Sequence, residues 1–379
     1  MLIILLTLIS IRPFISSLAF PYLNYAYSVL FIAFLISWII TKKISLERIK
    51  PLTYPLALLC LALIVSTIFS LNKINTFGQL YQYVNGLLLF FVAASLCHED
   101  KIRVIRTAIF SGFVISVLAI YQYLFGFQHL LNYMSAEKIT NAFALDYVER
   151  RRTFFPFVTP NILAGYLAMV IPLALTGSKK RWLGISASVV ALLLTRSLGA
   201  LLSLFLALVI YFYLRNKSKR RILILLSLGL AVIGVIFVIR TCVHKEHLQP
   251  VFSAIARLGY WRESIEIIKA RPLTGIGIGN FNLVWSRYAH NSYLQIWAEM
   301  GILGIISILW LIIAIFKTAP KNLKDAAYTK ETAGIITAIA VFLIHNFVDF
   351  SFFLPEVSLI WWGILGLSVG LLRSNGECL

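Results

Sequence analysis

Along almost the whole chain, apolar residues fall in long blocks divided by short polar breaks. Read by hydropathy, the blocks predict membrane-spanning helices near 3–20, 23–41, 53–71, 77–97, 104–125, 160–176, 182–195, 199–214, 221–240, 291–316, 333–350 and 355–372. The stretch from Trp182 to Arg215 is apolar almost throughout, longer than the ~20 residues that one span needs. Lys179, Lys180 and Arg181 precede it; Arg215, Lys217, Lys219, Arg220 and Arg221 follow it. Clustered cations mark cytoplasmic ends, so the chain must cross and return between them. The turn falls at Thr195-Arg196-Ser197-Leu198-Gly199, which carries Arg196 to the far side.

The same rule orders the other loops. Those after the second, fourth and tenth spans hold Lys42, Lys43, Arg48 and Lys50; Lys101, Arg103 and Arg106; and Lys317, Lys321, Lys324 and Lys330. Every even-numbered exit is therefore cytoplasmic. The pattern predicts an all-α polytopic membrane protein, a single integral-membrane domain over 1–379. It has about 12 transmembrane helices and both termini in the cytoplasm. The first block lacks a small-x-small cleavage site, and its removal would invert the parity of every later loop, so it is read as a span rather than a signal peptide.

Composition agrees. The chain is 60% hydrophobic with a mean hydropathy of +0.88, more apolar surface than a soluble domain can hide. A net charge of +19 would suggest nucleic acid in a soluble protein, but here the excess follows the topology signal and nucleic-acid binding is not expected. Cys60, Cys97, Cys242 and Cys378 are scattered, with neither a disulfide pair on the outer face nor metal-ligand spacing.

Two outward segments exceed simple turns: a smaller periplasmic loop, 126–159, and a larger one, 241–289, between spans nine and ten. Cations are depleted outside as a rule, yet Arg150, Arg151 and Arg152 stand together before the sixth span, and Arg257, Arg262, Arg271 and Arg287 lie in the second loop. With Arg196 they make an arginine-rich outer mouth. Arginine presents a permanent planar fork suited to phosphate; the plainer reading is surface pairing with Glu137, Asp146, Glu149, Glu263 and Glu266. Residues 257–270 read as a helix in which Leu258, Trp261, Ile265 and Ile268 form an apolar stripe and Arg257 falls beside Trp261 and Ile268. Pro272 stops it. Gly275, Gly277 and Gly279 follow at alternate positions, which is not the spacing of a nucleotide loop and reads as a tight backbone crossing. His290 then stands at a helix N-terminus with Asn291 or Ser292 as cap, where the helix dipole favours a neutral ring able to accept a proton. His345 and Asp349, one turn apart, and Glu299 are intramembrane ionisable residues, either functional or self-paired.

These motifs resemble the O-antigen ligase and O-antigen polymerase superfamily of bacterial polytopic membrane glycosyltransferases. The resemblance rests on Arg257-Leu258-Gly259-Tyr260-Trp261, the run Pro272 to Phe281, Ala289-His290-Asn291-Ser292-Tyr293 and Glu299-Met300-Gly301. It extends to Tyr121-Gln122-Tyr123, Arg152 to Asn161, and His345 to Phe350 before Pro355, so it covers about 115–370. At the turn 195–199 the family often has an arginine where Leu198 stands, with Arg196 two residues earlier.

The resemblance implies an undecaprenyl-pyrophosphate-linked glycan donor in the bacterial inner membrane. It implies inverting transfer to an acceptor hydroxyl (another glycan, lipid A–core or another acceptor) at the periplasmic face, with no metal and no cofactor. On it, His290 is the catalytic base. Arg152, Arg257, Arg196 and Arg262 hold the pyrophosphate, and Asn161, Trp261, Asn291, Tyr293, His345 and Asp349 shape the substrate site. The ligase reading is favoured over a polymerase of the same superfamily. A lipid-linked oligosaccharide flippase or other transporter is the alternative from another class, disfavoured because no internal repeat is visible and polar groups gather at the outer mouth.

Overall fold

The structure is a computed structural model that describes residues 1–42, 46–138, 142–175, 182–216, 249–318 and 329–371, with a few positions between 220 and 238. The expected span 221–240 lies mostly outside the described residues. So do 241–248 and 139–141 of the two outer loops, Cys242, Cys378, Lys43, Lys179, Lys180, Arg181, Lys217, Lys219, Arg221, Lys321, Lys324 and Arg373.

The described residues are all-helical, without strands. In chain order the helices are α1 Leu2–Ile11, α2 Pro21–Lys42, α3 Thr53–Ile68, α4 Lys73–Ser95, α5 His98–Tyr121, α6 Phe127–Ala136 and α7 Ala142–Glu149. They continue with α8 Pro160–Ala174, α9 Trp182–Leu194, α10 Leu198–Asn216, α11 Gln249–Ala270, α12 Ser292–Thr318, α13 Thr329–His345 and α14 Pro355–Leu371. Five helical stretches are long and apolar enough to cross a membrane: Pro21–Lys42, Ile49–Ile68, Lys73–Ser95, His98–Ala136 and Ser292–Lys317. Shorter apolar helices accompany them.

Two expectations change. The block 3–20 is not one helix: α1 ends at Ile11 and a 3-10 turn, Arg12–Phe14, follows. Pro13 has no N–H to continue the ladder, and Arg12 is drawn inward, its Nη2 donating to Asn24 Oδ1 at 2.6 Å and lying 3.6 Å from Glu356 Oε2. The segment 126–159, expected as an outer loop, holds two short helices, α6 and α7.

Large apolar side chains fill the core, and small residues set its closest helix contacts. Every residue of α8 except Asn161 is buried, and Gly165 lets it meet α13 closely enough that a Cβ there would stand 2.7 Å from His345 Cδ2. On α4, Gly86 admits the Trp362 ring, and Gly366 on α14 lies against the Phe90 carbonyl. Close backbone approach of this kind is how helices associate where lipid offers no hydrophobic drive.

α12 is two helices in line. Gly301, at φ +64° and ψ −164°, breaks it, and the glycine-rich segment crosses at the break. Ile276 N donates to Ala298 O at 2.9 Å, Gly277 N to Glu299 O at 3.0 Å, and Ile302 N to Pro272 O at 3.0 Å. The groups orphaned by the break are thereby satisfied, as burial in a membrane demands. The crossing is stitched sideways too: Ser66 Oγ donates to Glu299 O, Thr76 Oγ1 to Ile278 O, and Asn280 Nδ2 to Ser70 Oγ, each at 2.8 Å. The alternate glycines thus form a staple rather than a nucleotide loop.

Candidate functional site

α11 packs on the first half of α12 through Tyr260, Ile267 and Ile268, against Leu294, Trp297 and Ala298. Leu258 and Ile265, which the expected stripe would bury, are 59% and 42% exposed. At ~100° per residue the packed face centres instead on Ser264. That residue is wholly buried and donates to its own helix, Ser264 Oγ to Tyr260 O at 2.6 Å. A short side chain that satisfies itself lets the two backbones approach, and this rotates the helix away from its most apolar edge. The rotation leaves Arg257 and Trp261 half-buried and Arg262 exposed.

His290 is held in the left-handed region at φ +50°, a conformation that histidine enters more readily than most residues. Asn291 rather than Ser292 is the cap of α12: its Oδ1 accepts from Tyr293 N at 3.0 Å and Leu294 N at 3.1 Å. The imidazole stacks on Tyr260, with centroids 5.6 Å apart, and meets Phe350 edge-on at 4.8 Å. Nδ1 is buried without a hydrogen-bond partner among the described residues. Burial pushes its pKa down to about 4; Asp349 opposes that shift and Arg257 adds to it. The ring is neutral at pH 7, as the sequence suggests, but the cause is desolvation more than the helix dipole.

Asp349 joins the same cluster. Its Oδ2 lies 3.0 Å from His345 Nε2 and accepts from Ser351 Oγ, while Oδ1 is buried without a partner among the described residues. Tyr147 lies within electrostatic reach of Arg152, Asp349 and Arg257, and the Arg152 guanidinium sits over its ring, 5.3 Å from the centroid. The structure therefore gathers Arg152, Arg257 and Asp349 around Tyr147, and His290 and His345 join them through Asp349.

Arg152 is anchored twice, Nε to Thr195 O and Nη2 to Asn161 Oδ1, both at 3.1 Å. The first bond ties the arginine loop to the C-terminal end of α9, where carbonyls lack helical partners. Arg196 occupies that turn at φ +53° and is exposed. Arg150 follows the plainer reading and pairs with Asp146 at 2.6 Å. Arg262 makes no hydrogen bond or ion pair among the described residues to this cluster. Tyr293 is turned to a structural task, its hydroxyl donating to Leu343 O at 2.9 Å while its ring packs on Phe347. Among the described residues no group of three or more His, Cys, Asp or Glu side chains is placed to hold a metal ion.

Sequence reasoning did not single out Tyr147 and read Tyr260 only as a motif position; the ring contacts of both depend on tertiary placement. It also missed the role of Gln122, whose Oε1 accepts from Phe154 N at 2.9 Å and Phe155 N at 3.0 Å and so fixes the loop before α8. An amide in an otherwise apolar helix was the available signal.

Residues 183–309 match the O-Antigen ligase family, a stretch shorter than half the chain and narrower than the motif resemblance. It contains Arg196, Arg257, Trp261, Arg262, His290, Asn291 and Tyr293, with Arg152, Asn161, His345 and Asp349 outside it. A comparison with curated proteins returns no match. Residues 183–309 are thus similar to the O-antigen ligase family, a match that supports membership of that superfamily, in a chain with five helices long and apolar enough to cross a membrane.

Proposed function

We propose that this protein transfers a glycan from an undecaprenyl-pyrophosphate donor to an acceptor hydroxyl at the extracytoplasmic face of the bacterial inner membrane, as a ligase. One observation carries the reading: His290, half-buried and neutral within the stretch that matches the family, lies within electrostatic reach of Arg257 and Asp349. In the proposed step an imidazole nitrogen takes the acceptor hydroxyl's proton as that oxygen bonds to the anomeric carbon. The bond from that carbon to the diphosphate oxygen breaks, its electron pair leaves with the diphosphate, and the anomeric centre inverts.

Arg257 and Arg152 meet the charge that grows on the leaving group. Arg196, exposed at its turn, is positioned for an incoming headgroup. Arg262, on the outer flank of α11, is assigned to long-range attraction rather than to the clamp. Asp349 supports the imidazolium that forms, and His345 holds Asp349. Donor binding also strengthens the base. Arg257 depresses the His290 pKa, so a diphosphate that neutralises Arg257 raises it as the complex forms.

A polymerase would use the same donor and differ in the acceptor, which these groups do not encode. The test is made in membranes of a deletion strain that re-express the chain and hold its own donor and acceptor. His290→Ala, inserted normally, is expected to lower transfer by about 100-fold or more. Arg257→Lys keeps the charge but loses the fork, and is expected to weaken undecaprenyl-pyrophosphate binding by about tenfold. Full transfer by His290→Ala, or unchanged binding by Arg257→Lys, would remove the corresponding role.

A further inference from the structure

Glu299 and Gln295 take no part in that step, yet they are 1% and 2% exposed. Gln295 Nε2 donates to Glu299 Oε1 at 3.0 Å, which fixes the direction of the amide. Gln295 Oε1 then accepts from the Ala289 N–H at 3.2 Å. Ala289 is wholly buried and immediately precedes His290, whose left-handed backbone persists only where the surroundings over-determine it. Beyond His290, Ser292 N donates to Asn346 O at 2.9 Å, so the turn is gripped on both sides. The main-chain oxygen of Glu299 meanwhile accepts from Gly277 N and Ser66 Oγ. One residue thus joins the His290 turn, the glycine staple and α3.

We propose that Glu299 and Gln295 form a positioning relay: Glu299 orients the Gln295 amide, and Gln295 pins the Ala289–His290 turn so that the imidazole keeps its bearing on the acceptor. The relay rests on the reading of His290 as the base. A buried hydrogen bond that only stabilised the helix would cost the same whether or not His290 were present. A positioning relay has nothing left to position once the imidazole is gone.

The experiment pairs turnover at saturating donor, in the re-expressing deletion-strain membranes, with binding of undecaprenyl pyrophosphate to the purified chain. Gln295→Leu is expected to slow turnover by about 10- to 100-fold while binding stays within about twofold. Glu299→Leu does the same, and Glu299→Gln, which still offers Gln295 an oxygen, retains turnover within about threefold. In a His290→Ala background, Gln295→Leu adds no further loss, because groups that act as one unit are not additive. Unchanged turnover in Gln295→Leu would overturn the relay, as would an equal loss with and without His290. Glu299→Gln as inactive as Glu299→Leu would overturn it too, since charge rather than orientation would then matter; this pair also serves if Gln295→Leu does not fold. Full activity in His290→Ala alone would remove the base assignment beneath the relay, an outcome read separately from those at 295 and 299.

Discussion

His290 differs from a solvent-exposed histidine in two ways, and both come from its neighbours. Tyr260 and Phe350 cover the ring, and the covering disfavours its charged form, which places its pKa near 4 instead of 6.5. A lowered pKa means that the neutral, proton-accepting form persists as the pH falls through 6.5. Transfer read as kcat/KM for the donor, which reports the free protein, is therefore expected to stay level from neutral pH to about 5 and to fall only as the pH approaches about 4. Arg257→Ala removes an influence that lowers the pKa and moves this acid limb upward; Asp349→Asn removes one that raises it and moves the limb downward. A pH–rate profile of the three proteins checks the order, and an acid limb near 6.5 in the unmodified chain would contradict it. Arg152, Arg257 and His290 stood out in the sequence because clustered cations in segments read as outward break a strong background rule, and His290 falls at the N-terminus of the helix that follows. Tyr147 and Tyr260 did not, since an aromatic in such a chain is commonplace until its partner is known.

At the scale of the element, the decisive feature is the broken helix α12. The glycines at 275, 277 and 279 announce a tight crossing in the sequence, but the object crossed does not show. Gly301 reads there as one small residue in an apolar helix. In the structure its backbone has a conformation that glycine alone adopts readily, and a Cβ would overlap the Leu273 carbonyl. Gly301→Ala is therefore expected to destabilise the protein by at least about 1–3 kcal/mol from the backbone alone, seen as a lower midpoint in thermal unfolding of the detergent-solubilised chain. Gly184, where an added Cβ meets nothing within 4 Å, serves as the control and should tolerate alanine. The orientation of α11 teaches the same lesson. Its helical character and its end at Ala270 followed from periodicity and Pro272. Its buried face did not, because Ser264 could turn inward by bonding to its own helix.

For the whole molecule, the hydropathy blocks and the observed helices agree closely wherever residues are described, apart from the first block. The basic loops imply a sidedness on which 126–159 and 241–289 are expected to face outward. Single cysteines at Arg262 and Val284, both exposed, are expected to react with a membrane-impermeant maleimide on intact cells. One at Arg103 should react only after permeabilisation. Labelling at Arg262 and Val284 only after permeabilisation would invert the molecule and take the site off the outer face. The placement of the apolar helices was legible in the sequence because lipid imposes length and polarity on each span separately. The assembly of Arg152 from before α8, Arg257 from α11, His290 from before α12 and Asp349 from after α13 was decided only in three dimensions. It depends on glycines that set how closely helices approach, on a break that turns one chain segment across another, and on hydrogen bonds between residues more than fifty positions apart. Periodicity along a single segment carries no record of such contacts.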